Sequence, residues 1–398
     1  MNRIALTRDE VQQFRAETRG TALRTHFNNA GTSLPPDIVV DTVISYIKEE
    51  AMFGGYETEA SYQEQLEYTY TLIARLINAE KDEVAIVENS SQAWGLAFNG
   101  IRFNPGEEII TSEMEYETNL FGFINARKAF GVVIKVIEND EAGNFSLAAL
   151  EAAITPATRL IAVTHIASSS GSMLPVAEIG KIARSHNILY LVDACQTVGQ
   201  LPIDVNEMGC DMLSVTGRKF LRGPRGTGFL FVRKDVLAQL KVFFMDSLAA
   251  TWINQDTYEL RPDARRFELF EKNRALNLGL GKAIEYALAI GVDRIWERIQ
   301  LLSALLREQL SAIEGVTVHD KGQHRCGIIT FTCASTESQV IKSALALKHI
   351  NVAVSLAGST LLYMNKQRLA NVVRASVHYY NTEEEIKFLC DAVRELKS

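Results

Sequence analysis

Short runs of consecutive apolar residues alternate along the chain with segments whose apolar positions recur every three or four residues. The runs at 84–87, 108–111, 132–137, 160–164, 188–192 and 229–232 predict strands, and the spacing at 37–50, 92–99, 119–129 and 176–186 predicts helices. Such alternation predicts a mostly parallel sheet wrapped by helices, with any ligand at the carboxyl ends of the strands. A polar, turn-rich stretch at 251–266 reads as a boundary region. Beyond it, helical spacing at 271–291 and 292–314 leads into strands at 327–333 and 371–377, the pattern of a smaller α+β domain. The expected organisation is an N-terminal helical segment at 1–25 packing on the small domain, a large domain at 26–258 and the small domain at 259–398.

Composition narrows the class. With 398 residues, 47% hydrophobic and 22% charged, the chain can bury a large core, and no stretch is apolar for long enough to span a bilayer. A net charge of -7, without a basic run interleaved with aromatics, argues against a nucleic-acid surface and for small-molecule partners. The start, MNRIALTRDEVQQF, is charged and helix-like and lacks the apolar stretch of a signal peptide, so a cytoplasmic location is expected. The five cysteines have no CxxC spacing and mostly sit among apolar residues, which reads as buried reduced thiols and not a metal site or disulfide framework.

The chemistry concentrates between 188 and 233. An apolar strand ends in Asp193 and Gln196, and a second strand delivers Lys219 within Thr216-Gly217-Arg218-Lys219. This arrangement suits pyridoxal 5'-phosphate (PLP): the lysine bonds covalently to the cofactor aldehyde, and the aspartate keeps the pyridine nitrogen protonated so that the ring accepts electrons. A partly apolar setting beside Arg218 should lower the lysine amine's pKa. Ser90, Ser91 and Gln92 lie between a strand and a helix, where hydroxyls and free N–H groups favour a phosphate. Tyr116, past the next strand, is placed to stack on a ring. No G-x-G-x-x-G follows the early strands, and the loop Gly223-Pro224-Arg225-Gly226 is better explained as shaping the backbone around the lysine.

Together, Asn29-Ala30-Gly31, Ser90-Ser91, Glu115-Tyr116, Thr164-His165, Asp193-Ala194-Cys195-Gln196, Thr216-Gly217-Arg218-Lys219 and Arg374-Ala375-Ser376 resemble the class V aminotransferase family of PLP enzymes. The resemblance runs from about Phe27 to the C-terminus. It implies PLP fold type I, with a mostly parallel seven-stranded sheet in the large domain, and a homodimer. It implies that Lys219 carries the cofactor, Asp193 pairs with its ring nitrogen and Gln196 bonds its phenolic oxygen. Ser90, Ser91 and Thr216 would hold the phosphate, while Arg374, with Asn29 and Ser168, would bind the substrate. His165 either faces the cofactor and assists proton transfer or makes a structural hydrogen bond.

Departures from the family shape the expected reaction. Cysteine desulfurases carry a reactive cysteine on a small-domain loop, but the corresponding stretch at 351–360 has none, so transfer through a protein persulfide is not expected. Arg218 stands where many relatives have His, and the Gly-Thr that reaches a neighbouring subunit's phosphate is not apparent at 265–271. The segments around Lys219, Arg265-Arg266-Phe267-Glu268 and His378-Tyr379-Tyr380 look most like ergothioneine-type C-S lyases and epimerase-like proteins. The leading expectation is therefore β-elimination from an S-substituted cysteine or its sulfoxide, such as hercynylcysteine sulfoxide, giving pyruvate, ammonia and a thiol-type product. Transamination, epimerisation and decarboxylation are the alternatives. Arg222 and Arg225 read either as contacts to a substrate oxyanion or as surface charges, and Trp252 and Tyr258 as caps on a substrate pocket.

Overall fold

The computed structural model describes residues 5–396. Its centre is a seven-stranded sheet of β1 (Val84–Val87), β2 (Glu108–Ser112), β3 (Val133–Ile137), β4 (Thr158–Thr164), β5 (Leu189–Asp193), β6 (Met212–Thr216) and β7 (Gly228–Val232), in the order β1-β7-β6-β5-β4-β2-β3. Only β7 runs antiparallel to its neighbours. Every residue of β1, β5, β6 and β7 is buried, which is why these strands read as unbroken apolar runs and not as alternating ones. Register aligns Thr164, Asp193 and Ser214 across three neighbouring strands, so their carboxyl ends open on one side.

Helices cover both faces. Here α1 is Arg8–Ala16, α2 Asp37–Phe53, α3 Gln63–Ile77, α4 Ser90–Gly100, α5 Glu117–Phe130, α6 Arg274–Ile290 and α7 Val292–Ser311. The sequence pattern did not reveal α3, because polar Thr69 and the hydroxyl-bearing Tyr70 occupy buried positions on it. No single helix among the described residues is long and apolar enough to cross a membrane.

A second, antiparallel sheet of Val316–Val318, Ile328–Cys333, Asn371–Ser376 and Ala353–Leu356, in that order, forms the smaller C-terminal domain. Val11 and Phe14 of α1 bury in the same core as Tyr379 and Leu389, with the Phe14 and Tyr379 rings edge-on at 5.4 Å. The first four residues of the expected N-terminal segment, and the last two of the small domain, lie outside the described residues.

The boundary expected between 258 and 259 falls inside a β-hairpin, where Tyr258 pairs with Trp252 and Glu259 with Thr251. The polarity of that stretch reflects an exposed hairpin and not a linker. Ala264 and Phe267 still belong to the large-domain core. The division instead runs along α6: Leu280 and Ile284 bury in the large-domain core, and Ala287 and Ile290 in that of the small domain. Gly279 and Gly281 allow α6 to approach Val43 of α2 and Thr69 of α3, since a β-carbon at Gly279 would stand 2.6 Å from the Val43 side chain.

Candidate active site

The carboxyl ends of β1, β2, β4, β5 and β6 surround a cavity of about 410 Å³. Ser90, Ser91, Tyr116, Ser168, Asp193, Gln196, Thr216 and Lys219 all line it, so residues scattered over 130 positions meet at one place. At the end of β1, Asn89 caps α4 by accepting from the Gln92 N–H at 2.9 Å, which points the helix N-terminus into the cavity. Ser90 donates to Ser214 at 3.3 Å. Gly228 lies beneath this turn, because any β-carbon there would collide with the Val215 carbonyl and press on Asn89.

Asp193 is held from two sides. The Cys195 N–H donates to Oδ1 at 2.9 Å, and Asn119 Nδ2 donates to Oδ2 at 3.2 Å. Asn119 also donates to Glu115 at 2.8 Å, and Glu115 further accepts from Thr111, the Thr164 hydroxyl and N–H, and the Tyr116 N–H. Burial, reinforced by the nearby Asp193, pushes the Glu115 carboxyl up to about 7 despite these donors. On the facing strand end, Lys219 has its amine pulled below the usual lysine range, first by burial and then by the charges of Arg218 and Arg374.

Arg374 lies behind Ser168, donating to its carbonyl at 2.9 Å, and its Nε is buried without a hydrogen-bond partner. Burial, then Arg218, lowers this guanidinium to about 10. The Gln196 Oε1 is likewise buried and unpartnered while Nε2 donates to the Ala30 carbonyl at 3.1 Å. An unpaired buried acceptor lining a cavity is a group that a bound molecule must satisfy.

Several expected site residues face elsewhere. Gln92 turns its side chain back to accept from the Glu88 N–H at 2.9 Å and does not line the cavity. Asn29 spends its amide on the Ser376 carbonyl at 2.7 Å and the Tyr380 hydroxyl at 2.5 Å, fastening the N-terminal turn to the small domain. His165 is buried, pairs with Thr197 at 3.1 Å and is driven down to about 4 by burial, so it stays neutral outside the cavity lining. Arg222 is also buried, reaching the Leu34 carbonyl, Thr18 and Tyr379, and Arg225 is exposed away from the cavity. Trp252 and Tyr258 project from the hairpin, exposed, and do not line the cavity either.

Asn119 and Cys195 line it without a role assigned from the sequence. Asn119, which orients Asp193, sits at helical spacing from Glu115 and was readable only as part of a helix start. Cys195, grouped from the sequence with the other cysteines as a buried reduced thiol, lines the cavity. Burial and the adjacent Asp193 push its thiol up to about 12.

The donor set fits PLP: a helix N-terminus with two serines and a threonine for the phosphate, an anchored carboxylate for the ring nitrogen, and a lysine with a depressed pKa within the same cavity. The family model for aminotransferase class-V matches residues 25–389. A probable cysteine desulfurase of Methanothermobacter thermautotrophicus is 31% identical over 94% of this chain and 95% of its own. One from Pyrococcus abyssi is 28% identical over 93% and 94%. Among solved structures, apo cysteine desulfurase from Thermococcus onnurineus NA1 superposes with a TM-score of 0.92 at 26% identity, covering 99% of both chains. The cystine C-S lyase C-DES, solved with its reaction product cysteine persulfide, shares the fold, with a TM-score of 0.86 at 22% identity over 95% of this chain and 99% of that one. The two curated relatives carry the name of cysteine desulfurases and not of ergothioneine-type lyases, so the family is the level of likeness established: the chain belongs to the class-V aminotransferases and is a PLP-dependent enzyme of fold type I.

Proposed function

We propose that this enzyme cleaves the carbon–sulfur bond of cysteine or an S-substituted cysteine, including its sulfoxide, and releases pyruvate, ammonia and the sulfur product to solvent. The names of its relatives support sulfur-amino-acid chemistry. The observation that carries release to solvent is that the small-domain stretch at 351–360 has no cysteine, while Cys195, the one thiol among the described residues that lines the cavity, is buried beside Asp193, which pushes the thiol up. A protein persulfide needs a thiolate to attack the substrate sulfur, and a thiol with a pKa of about 12 does not supply one at neutral pH.

When bound, PLP supplies an aldehyde that bonds the substrate amine and a ring that withdraws electrons from the α-carbon. Each protein group then has a task. Lys219 would hold the cofactor, and the lowered pKa of its amine suits it to take up the substrate's α-proton. Asp193, fixed by Asn119 and the Cys195 N–H, would hold the proton on the ring nitrogen. Ser90, Ser91, Thr216 and the α4 N-terminus would hold the phosphate, and Tyr116 would lie beside the ring. Arg374 pairs with the α-carboxylate through the donors it leaves unused behind Ser168. The sulfur leaves with the C–S bonding pair and takes up a proton, and one water is consumed in forming pyruvate and ammonia. Exposed Met52, Phe53 and Tyr56 at the end of α2 and beyond support pairing of two copies as a homodimer.

The test is product analysis with cofactor-loaded protein on L-cysteine, L-cystine and a panel of S-substituted cysteines and sulfoxides, comparing wild type with Lys219→Ala. Pyruvate and ammonia from wild type alone support the reading. Alanine with protein-bound sulfur would replace it with desulfuration, and a cofactor converted to its amine form would replace it with transamination.

A further inference from the structure

Glu115 and Asp193 are two buried carboxyl groups bridged by one amide. Asn119 Nδ2 donates to Glu115 Oε1 at 2.8 Å and to Asp193 Oδ2 at 3.2 Å. The sheet reinforces the bridge, since Thr164, the register partner of Asp193, donates its N–H to Glu115 at 3.0 Å and its hydroxyl as well. Glu115 itself stands outside the cavity lining, to which Asn119 and Asp193 both belong. Two like charges joined in this way and shielded from water repel each other, so one carboxyl of the pair is the better holder of a proton.

The hydrogen-bond partners decide which one. Asp193 is held by the Cys195 N–H at 2.9 Å and by the Asn119 amide, and an N–H only donates, so Asp193 is fixed as an acceptor. Glu115 counts two hydroxyls among its partners, Thr111 at 3.1 Å and Thr164, and a hydroxyl accepts as well as it donates. A protonated Glu115 therefore keeps a partner for its proton, whereas a protonated Asp193 would face donors. The charged groups nearby do not change this order. Glu113, on the same turn, pairs with Lys366 of the small domain at 2.7 Å, and Glu117 at the start of α5 stays partly in solvent. His165, after β4, is neutral, and the Cys195 thiol after β5 is protonated. Asp193 is the charge that acts on Glu115, and together with burial it raises that carboxyl to about 7.

We propose that Glu115 is a positioning residue for the cofactor's ring nitrogen: protonated, it leaves Asp193 to carry the negative charge that faces the ring, and on losing its proton it draws the ring proton toward Asp193. A carboxylate behind Asp193 acts more strongly on Asp193 than on a ring beyond it. Its repulsion makes Asp193 more basic, and a ring that has given up its proton withdraws electrons less well. Glu115 thus sets the pH above which the electron sink weakens. The inference needs the cofactor but not the carbon–sulfur cleavage reading.

The experiment follows the 15N resonance of PLP labelled at its ring nitrogen, in the holoenzyme without substrate, from pH 5 to pH 9. In wild type the resonance should move from the protonated toward the unprotonated position as pH rises, as a one-proton titration. In Glu115→Gln it should stay at the protonated position throughout. Thr111→Val keeps the side-chain size and the Glu115 carboxyl but removes one of that carboxyl's partners, so the midpoint should shift by about 0.5 to 1 pH unit. A resonance that does not move with pH in wild type would overturn the proposal without any variant. So would a titration that persists in Glu115→Gln, or one whose midpoint is unchanged in Thr111→Val. A ring left unprotonated at every pH in Glu115→Gln would also overturn it, because Glu115 would then be needed as a charge.

Discussion

The side-chain amide of Asn119 donates to Oδ2 of Asp193 at 3.2 Å, so the carboxylate facing the ring nitrogen is oriented from α5 as well as from its own strand. The same amide bonds Glu115 at 2.8 Å and has no freedom to swing away. Replacing Asn119 by Ala leaves Asp193 with only the Cys195 N–H as a fixed donor. We expect kcat to fall by roughly tenfold to a hundredfold, the cost of about 1.4–2.7 kcal/mol of lost orientation, with a smaller change in KM. Steady-state kinetics check this, and the absorbance spectrum of the bound cofactor reports the altered ring protonation independently of turnover.

Glu115 and His165 give the fold opposite responses to pH. Glu115 is raised from 4.5 to about 7, so the folded state holds its proton more tightly than the unfolded chain. The stability this contributes is complete below pH 4.5 and is lost as pH rises through about 7, on the order of 3 kcal/mol. His165 is lowered from 6.5 to about 4, so its contribution is complete above 6.5 and is lost as pH falls toward 4. In Glu115→Gln the mismatched amide imposes a constant penalty, but the pH-linked loss disappears. The difference in Tm between the variant and wild type should therefore move in the variant's favour from pH 5 to pH 8. A pH-independent difference would show that Glu115 is not protonated on folding.

The large domain was legible because its strands are buried on both faces, and a site residue follows each of several runs. Asp193 closes β5, and Lys219 comes three residues after β6, so finding the strand found the residue. Periodicity does not say which way a polar side chain turns once a strand has ended. Asn29, Gln92 and His165 sit in the right turns, but their hydrogen-bonding groups are taken up by Ser376 and Tyr380, by Glu88 and by Thr197. The domain boundary was misplaced for a related reason: an exposed hairpin and a linker have the same polar, turn-rich composition, and only the packing of Phe267 and Leu280 tells them apart.

Arg222 joins the N-terminal segment to both domains. It donates to the Leu34 carbonyl at 2.8 Å and to Thr18 at 2.6 Å, reaches the Tyr379 hydroxyl, and lies 4.5 Å over the Tyr380 ring. Its backbone has φ 61°, the left-handed region that suits glycine. Arg222→Ala should cost about 3 kcal/mol, because buried acceptors lose their donors while the strained backbone remains. Arg222→Gly loses the same contacts but relieves the strain, and should be more stable than the alanine variant by about 1 kcal/mol. Chemical denaturation of the two variants side by side measures that order, and an alanine variant at least as stable as the glycine one would contradict it.

Cys195 separates release to solvent from transfer through the protein. With its thiol at about 12, the thiolate is scarce at pH 7.5, and alkylation by iodoacetamide should run about a thousandfold slower than for an ordinary exposed cysteine. Each unit of added pH should speed it close to tenfold, since the thiolate fraction rises in proportion until the pKa is reached. Mass spectrometry of the labelled peptide follows this one residue in the intact protein. Cys195→Ala keeps the backbone N–H that holds Asp193, so pyruvate formation should fall by less than tenfold and no alanine should appear among the products. Rapid labelling at neutral pH, together with loss of sulfur release in Cys195→Ala, would instead make Cys195 the acceptor of the substrate's sulfur.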